Sequence, residues 1–152
     1  MKQSLFILIL IFLVVIFMVT GFLMSNNNKK MEIQKENREY EKYAKQGQEV
    51  NYTDVATIIN KAVNQNEKNS IPKNENQEYI ENNTNSIKIE IKMLDIEEPF
   101  TMERIHQNGI DKFIQSFGGG GVLMIKFKCT KIEYHQETGL IKKITFEELE
   151  VI

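Results

Sequence analysis

The chain is poor in the residues that most small secreted or catalytic proteins depend on. It has one cysteine, two histidines, two prolines and no tryptophan in 152 residues. A single cysteine cannot form a disulfide within the chain, which excludes a disulfide-stapled scaffold. The 19 basic and 21 acidic residues nearly balance. That balance excludes, as overall classes, a strongly basic nucleic-acid binder and a polybasic lipid-surface module.

One long uncharged segment is present near the N-terminus. Leu5–Met24 contains only apolar residues apart from Thr20 and Gly21. A helix of about 20 residues crosses the roughly 30 Å hydrocarbon core of a bilayer. We therefore predict a transmembrane anchor over residues 1–25, with the lipid bilayer as the partner of residues 5–24. The alternative is a cleaved signal peptide, whose apolar region is normally about 7–15 residues long.

The charges that flank this segment leave its orientation open. Only Lys2 precedes it, whereas Lys29, Lys30 and further basic residues come after it. A count of positive charges favours a cytoplasmic C-terminal side. A short Met-Lys start before a long apolar run is instead typical of signal anchors, which export the chain on their C-terminal side. We expect an extracytoplasmic C-terminal domain, with a cytoplasmic-facing regulator as the alternative.

Residues 26–48 are predicted to form a helical stalk. The segment is rich in Lys, Glu and Gln and has no proline, and its apolar residues, which include Tyr40 and Tyr43, form only a thin stripe. Gly47 is predicted to terminate the helix. The remaining residues, 49–152, are expected to fold as one small α+β domain.

The first half of this domain is predicted as helix, loop and hairpin. Asn51 or Thr53 caps a helix whose apolar residues recur on one face: Val55, Ile58, Ile59, Ala62 and Val63. A polar loop comes next, over residues 65–77. Residues 78–80 are predicted to form a short strand, paired with a second strand over residues 87–93, where Ile and Met alternate with charged residues.

The second half is predicted as a helix and a final hairpin. A helix begins at Thr101 and continues to Phe117, and the glycine run 118–121 ends it. In the next strand, one face carries Leu123, Ile125, Phe127 and Cys129, whereas Ile132 and Tyr134 point to the opposite face. A regular strand cannot change faces in this way, so a bulge near Thr130 is expected. A turn at 137–139 leads into a strand through Leu140, Ile144 and Phe146, and the acidic residues 147–150 are predicted to form a solvated tail. The order α-ββ-α-ββ predicts a small antiparallel sheet packed with two helices.

The residues that could carry chemistry do not form a recognisable site. The glycine run lacks the Gly-Lys-Ser/Thr ending of a phosphate loop and is interpreted as a flexible connector. Cys129 and His135 lie six residues apart on one strand, about 20 Å when extended, whereas a nucleophile and its base must be within about 3 Å. Cys129 is expected to be a small buried hydrophobe. We therefore predict no enzyme activity, no catalytic residues and no cofactor.

No metal site is expected either. His106 and His135, with Glu103 or Glu133, are the only candidate ligands, and they lack paired ligand spacing. The 15 asparagines could form a polar recognition surface. Low-GC coding bias explains them equally well, together with the abundance of Ile and Lys.

The order of span, stalk and small sheet-bearing domain resembles the pilin-like proteins of type IV and tight-adherence pilus systems. The segments 41–43, 53–66 and 127–135, together with Thr138-Gly139, are similar to segments of small, largely uncharacterised membrane-anchored proteins of low-GC Gram-positive bacteria. This resemblance implies a place near pilus or secretion systems and identifies no functional residue. The chain lacks a prepilin leader and a Glu within the span, so polymerisation as a major subunit is not expected.

The sequence thus predicts a single-pass membrane protein that presents a small interaction domain. The resemblance implies an accessory component of a pilus-like or secretion assembly. The partner would be a protein, with neither nucleic acid nor a small-molecule substrate inferred. The expected contact surface lies on the stalk and the next helix, at Tyr40, Tyr43, Thr53, Asp54 and Asn60. The second hypothesis is an extracytoplasmic ligand or envelope sensor, which predicts a pocket between the helices and the sheet.

Overall fold

A computed structural model describes most of the chain as two compact units. The units are residues Met1–Lys35 and Glu36–Ile152. The residues that the structure describes are 2–94, 96–109, 112 and 126–150. The first helix, α1 (Lys2–Glu41), has 40 residues, and most of it forms the first unit. The large apolar side chains of the run from Leu5 to Met24 are all exposed, which fits the prediction of one long apolar helix.

The second unit is an α+β domain, as predicted. Among the described residues, it contains the last residues of α1, a central sheet and two further helices. In chain order, the described elements after α1 are β1 (Glu49–Asn51), α2 (Tyr52–Lys68), β2 (Lys88–Lys92), β3 (Phe100–Thr101), α3 (Met102–Asn108), β4 (Lys126–Tyr134) and β5 (Ile141–Glu148).

The sheet is mixed, whereas the sequence predicted an antiparallel one. Its strand order is β1-β4-β5-β2-β3, and β2 runs parallel to β5. The pairing aligns Ile89 with Ile144 and Ile91 with Phe146, so one apolar face continues across both strands. All other pairs are antiparallel, and of the two predicted hairpins only β4–β5 forms as expected. The period-two pattern identified the buried face of β2 but carried no information about its neighbour.

The structure differs from the prediction at three places in the first half of the domain. Residues 78–80 form no strand, since Tyr79 makes only an isolated bridge with Lys73, and β2 pairs instead with β3. Helix α2 continues to Lys68, through the start of the predicted loop. The strand β1 (Glu49–Asn51) was not predicted.

The end of the first helix also differs from the prediction. Helix α1 ends at Glu41, before Gly47. Gly47 has a φ of +84° and donates its N–H to the carbonyl of Cys129 at 2.7 Å, so it leads the chain into the sheet. Tyr40 and Ala44 are buried in the domain core. The last turn of the predicted stalk is therefore part of the folded domain.

The last hairpin confirms the predicted bulge. The register between β4 and β5 shifts between Cys129 and Lys131, on either side of Thr130. Because the shift changes which side chains face inward, Phe127 and Cys129 are buried while Lys131 is exposed. The predicted acidic tail is wrong at its start, because Glu147 and Glu148 belong to β5 and Leu149 donates its N–H to the carbonyl of Lys126 at 2.9 Å.

Helix α3 begins as predicted. The Thr101 hydroxyl accepts the N–H of Arg104 at 3.4 Å, in the N-cap position. The helix ends at Asn108, where Gly109 has a φ of +92°, so it does not continue through Gly109 as predicted. Residues 110–117 of the predicted helix, apart from Lys112, lie outside the described residues. The glycine run 118–121, Leu123 and Ile125 lie outside them as well.

One apolar core joins the sheet to the helices. It includes the predicted face of α2 and the inward residues of the three central strands: Val55, Ile58, Ile59, Ala62, Val63, Ile89, Ile91, Phe127, Cys129, Ile144 and Phe146. Burying an aliphatic or aromatic side chain of this size contributes roughly 1.5–3 kcal/mol. The opposite face of the sheet carries charged and hydroxyl side chains.

Candidate functional site

The predicted contact surface divides into buried and exposed residues. Thr53 and Asn60 are exposed on α2, and Asp54 is half-buried in the first turn of that helix. Tyr43 is half-buried against the core. Tyr40 is buried, and burial, together with the charge of Glu36, raises the pKa of its hydroxyl. Tyr40 therefore has a packing role, and the accessible part of the surface lies on α2.

A groove of about 270 Å³ lies between the end of α1 and helix α2. Glu36 and Glu39 come from α1, whereas Lys61, Asn64 and Lys68 come from α2. Lys61 bridges the two elements: its Nζ lies 3.3 Å from a carboxylate oxygen of Glu39 and 5.4 Å from the centre of the Tyr43 ring. The groove thus has acidic and basic side chains on opposite walls.

The charge on Glu39 is stabilised within this groove. Hydrogen bonds from Lys42 and then Lys61 lower the pKa of the Glu39 carboxyl. Because 42% of the Glu39 side chain is exposed, its ion pair with Lys61 links the two walls of the groove but adds little to stability. Asn64, which is exposed, lines the groove on α2, and Asn60, also exposed, directly precedes Lys61 in the chain. This arrangement suits a polar contact with another macromolecule.

Cys129 and His135 are held in separate structural roles. Cys129 is fully buried, and burial raises the pKa of its thiol to about 11, which disfavours the reactive thiolate. The ring Nε2 of His135 lies 2.7 Å from the carbonyl oxygen of Ser86 in a buried contact. His135 thereby ties the β4–β5 turn to the loop before β2.

The candidate metal ligands are not brought together. Within the described part of the chain, no three His, Cys, Asp or Glu side chains are close enough to hold a metal ion. His106 is exposed on α3, while Glu103 is buried beneath the loop that contains Tyr79 and accepts the Tyr79 N–H at 3.2 Å. The second carboxylate oxygen of Glu103 is buried without a hydrogen-bond partner among the described residues.

Among the described residues, the face of the sheet opposite the core carries several ion pairs. Lys143 lies 2.7 Å from Glu90, Lys92 lies 2.9 Å from Glu147, and Lys131 contacts Glu133. A shallow depression of about 370 Å³ lies among these residues. Because the charges pair within the face, they offer no excess charge of either sign to a ligand.

Asparagines build the loops of the domain, which the sequence reasoning missed by assigning them to coding bias. The Asn66 side chain exchanges two hydrogen bonds of 2.8 Å with the backbone of Ile87. Asn37 bonds the Gly139 carbonyl at 2.8 Å and the Ile141 N–H at 3.0 Å. The side-chain oxygen of Asn82 accepts three backbone N–H groups of its own loop. Asn66 gave a signal, because it continues the apolar face of α2 three residues after Val63.

The first unit carries the most distinctive functional feature. Helix α1 is long and apolar enough to cross a membrane, and its apolar window has no buried residue. The hydroxyl of Thr20, which interrupts the apolar run, bonds to the carbonyls of Ile16 and Phe17 at 2.9 and 3.1 Å. The Thr20 hydroxyl therefore remains hydrogen-bonded within the helix when no water is present, as in a lipid bilayer. A membrane anchor and a signal sequence share these properties.

No protein-family model, no curated protein and no solved structure matches this chain.

Proposed function

We propose that the protein is a single-pass membrane protein whose apolar helix anchors a small interaction domain at the outer side of the membrane. The observation that supports this is the exposure of every large apolar side chain between Leu5 and Met24. In water these side chains would leave a large unburied apolar surface, whereas in a bilayer lipid tails cover them. The domain after the helix has its own core, so it is folded without the anchor's apolar residues.

The domain acts in this proposal by contact rather than catalysis. The supporting observations are that Cys129 is buried with its thiol pKa raised and that His135 is bound to a backbone carbonyl. The contact surface comprises Thr53 and Asn60 on α2 together with the groove formed by Glu39, Lys61 and their neighbours. We take the partner to be a protein.

The resemblance of the chain to pilin-like membrane proteins supports a role as an accessory component of a pilus-like or secretion assembly. An envelope sensor would need a ligand pocket between the helices and the sheet. In the described part of the domain, that region is occupied by the packed side chains of the core, including Ile59, Ile89 and Phe146. This packing favours the interaction domain over the sensor.

Membrane extraction tests the anchor. Full-length protein should remain in the membrane pellet after alkaline carbonate treatment, and Leu13→Lys combined with Ile16→Lys should release it, because each central lysine costs about 3 kcal/mol of insertion free energy. Leu13→Ala with Ile16→Ala is the matched control and should stay in the pellet. Release of the wild-type protein would contradict the proposal.

The intact mass of the protein isolated from membranes separates the anchor from a signal sequence. An anchor leaves residues 1–24 in place. Loss of a segment ending near Gly21 would identify a signal peptide, and the mature domain would then lack this apolar helix.

Site-specific photocrosslinking tests the contact surface. A photoreactive amino acid in place of the exposed Asn60 should form a discrete adduct with another protein in cells. The same amino acid at exposed Lys128, on β4, is the control and should not give that adduct. Equal adducts at both positions, or none at Asn60, would contradict the assigned surface.

A further inference from the structure

We propose that the polar segment Ser25–Lys30 of α1 binds anionic phospholipid headgroups, with Lys29 and Lys30 as the cationic ligands. This segment, called here the polar collar, comes directly after the apolar run and is helical and exposed. The proposal rests on the membrane anchoring proposed above. It goes beyond that function because it assigns a ligand class to particular residues.

The first argument for this proposal is the position of the two lysines along the helix. Leu5–Met24 covers about 30 Å at 1.5 Å per residue, which matches the hydrocarbon core. Lys29 and Lys30 lie five and six residues beyond Met24, or about 7.5–9 Å along the axis. The headgroup layer on each side of a bilayer is about 5–8 Å thick. Both ammonium groups are thus within a side chain's length of the lipid phosphates.

The second argument is the charge distribution of the first unit. Lys29 and Lys30 are exposed and have no ion pair among the residues that the structure describes. Glu32 is the first acidic residue of the chain, so neither the apolar run nor the collar contains a carboxylate. Two unpaired cations at this depth attract net negative lipids.

The residues between the apolar run and the lysines complete the site. Ser25 and Asn26–Asn28 are exposed and supply hydroxyl and amide donors at the level of the phosphates. Lys29 and Lys30 are about 100° apart around the helix. They therefore face different lipids, so the collar recruits several anionic lipids around the anchor instead of one bound in a pocket.

Spin-labelled lipids test the proposal on the full-length protein in vesicles. The vesicles contain phosphatidylcholine with roughly a quarter phosphatidylglycerol at low salt, and the motionally restricted fraction of each labelled lipid is measured. We expect the protein to prefer the phosphatidylglycerol label by about fivefold per lysine, and the preference to weaken at high salt. Lys29→Gln with Lys30→Gln should bring the preference close to one.

Two controls separate the site from net charge. Lys29→Arg with Lys30→Arg keeps the cations and should keep the preference. Lys45→Gln with Lys128→Gln removes two exposed cations of the domain and should leave the preference unchanged. A wild-type preference near one, or one that survives removal of Lys29 and Lys30, would overturn the proposal. If neither label is restricted, the helix is not in the bilayer, and the anchoring function fails with it.

Discussion

The side-chain amide of Asn66 pairs with the backbone of Ile87 through two hydrogen bonds of 2.8 Å, one donated and one accepted. Asn66 is fully buried on α2, and Ile87 directly precedes β2. A primary amide presents the same donor and acceptor as a peptide group. The side chain therefore replaces the neighbouring strand that the backbone of Ile87 lacks, and it fixes α2 against the sheet.

Removal of this amide should destabilise the domain strongly. Asn66→Ala leaves the buried N–H and C=O of Ile87 unpaired, at about 1–3 kcal/mol each, so a total loss of about 3 kcal/mol is expected. Urea unfolding of the full chain in detergent, monitored by the near-ultraviolet circular dichroism of its tyrosines, measures it. Asn64→Ala, exposed on the same helix, should change stability by less than about 0.5 kcal/mol. Similar losses in the two variants would contradict this role.

A second asparagine ties the last turns of α1 to the β4–β5 turn. Asn37 accepts the N–H of Ile141 and donates to the carbonyl of Gly139, more than 100 residues away in the chain. Because this site is partly exposed, Asn37→Ala should cost only about 1 kcal/mol. Hydrogen exchange should show faster exchange of the Ile141 amide, while the Ile89 amide in β2 changes little. Unchanged exchange at Ile141 would mean that the contact is not formed in solution.

Glu103 offers a stabilising substitution. One carboxylate oxygen accepts the Tyr79 N–H, and the other is buried without a hydrogen-bond partner in the described part of the domain. A buried charge is much more costly than a buried neutral amide. Glu103→Gln keeps the acceptor for Tyr79 and should raise the free energy of unfolding by about 1 kcal/mol at neutral pH. Glu137→Gln, at an exposed turn, should be neutral, and a destabilised Glu103→Gln would show that the carboxylate has a favourable partner.

Burial of Cys129 couples stability to alkaline pH. Its thiol pKa is about 11 in the folded domain against a usual value of 9.0. The folded state therefore holds the proton more tightly, and this contribution is full below pH 9 and is lost as the pH rises to 11. The two-unit difference corresponds to about 3 kcal/mol.

Unfolding at several pH values tests this coupling. The wild-type domain should lose more stability between pH 9 and pH 11 than Cys129→Ala does. All other ionisable groups are common to both proteins, so the difference between them isolates the thiol. Parallel pH curves for the two proteins would contradict a buried neutral thiol at this position.

The sequence pattern predicted the elements better than their arrangement. The apolar face of α2 and the alternation in β2 result from helical and strand periodicity, and the reversal of faces around Thr130 required the bulge that the structure contains. The parallel pairing of Ile89 with Ile144 could not be predicted, because periodicity identifies a buried face and not its neighbour. The hydrogen bonds from asparagine side chains to distant backbone groups, such as that between Asn37 and Ile141, could not be predicted either. Only the folded chain brings these residues together.

The proposed contact surface was only partly accessible to sequence reasoning. Thr53 and Asn60 are exposed on α2 as a contact surface requires, whereas Tyr40 is buried. A tyrosine in a polar helix gives no local sign of whether it faces solvent or a core. The groove between Glu39 and Lys61 arises from two segments 22 residues apart, and neither segment indicates it alone.

Thiol labelling on intact cells tests most directly whether the anchor presents the domain outside. Gln34→Cys and Gln3→Cys place exposed thiols on opposite sides of the apolar run, and the buried native Cys129 can be retained because it should not react. A membrane-impermeant maleimide should label Gln34→Cys on intact cells and Gln3→Cys only after lysis. Labelling of Gln3→Cys alone on intact cells, or of neither before lysis, would contradict an exported domain.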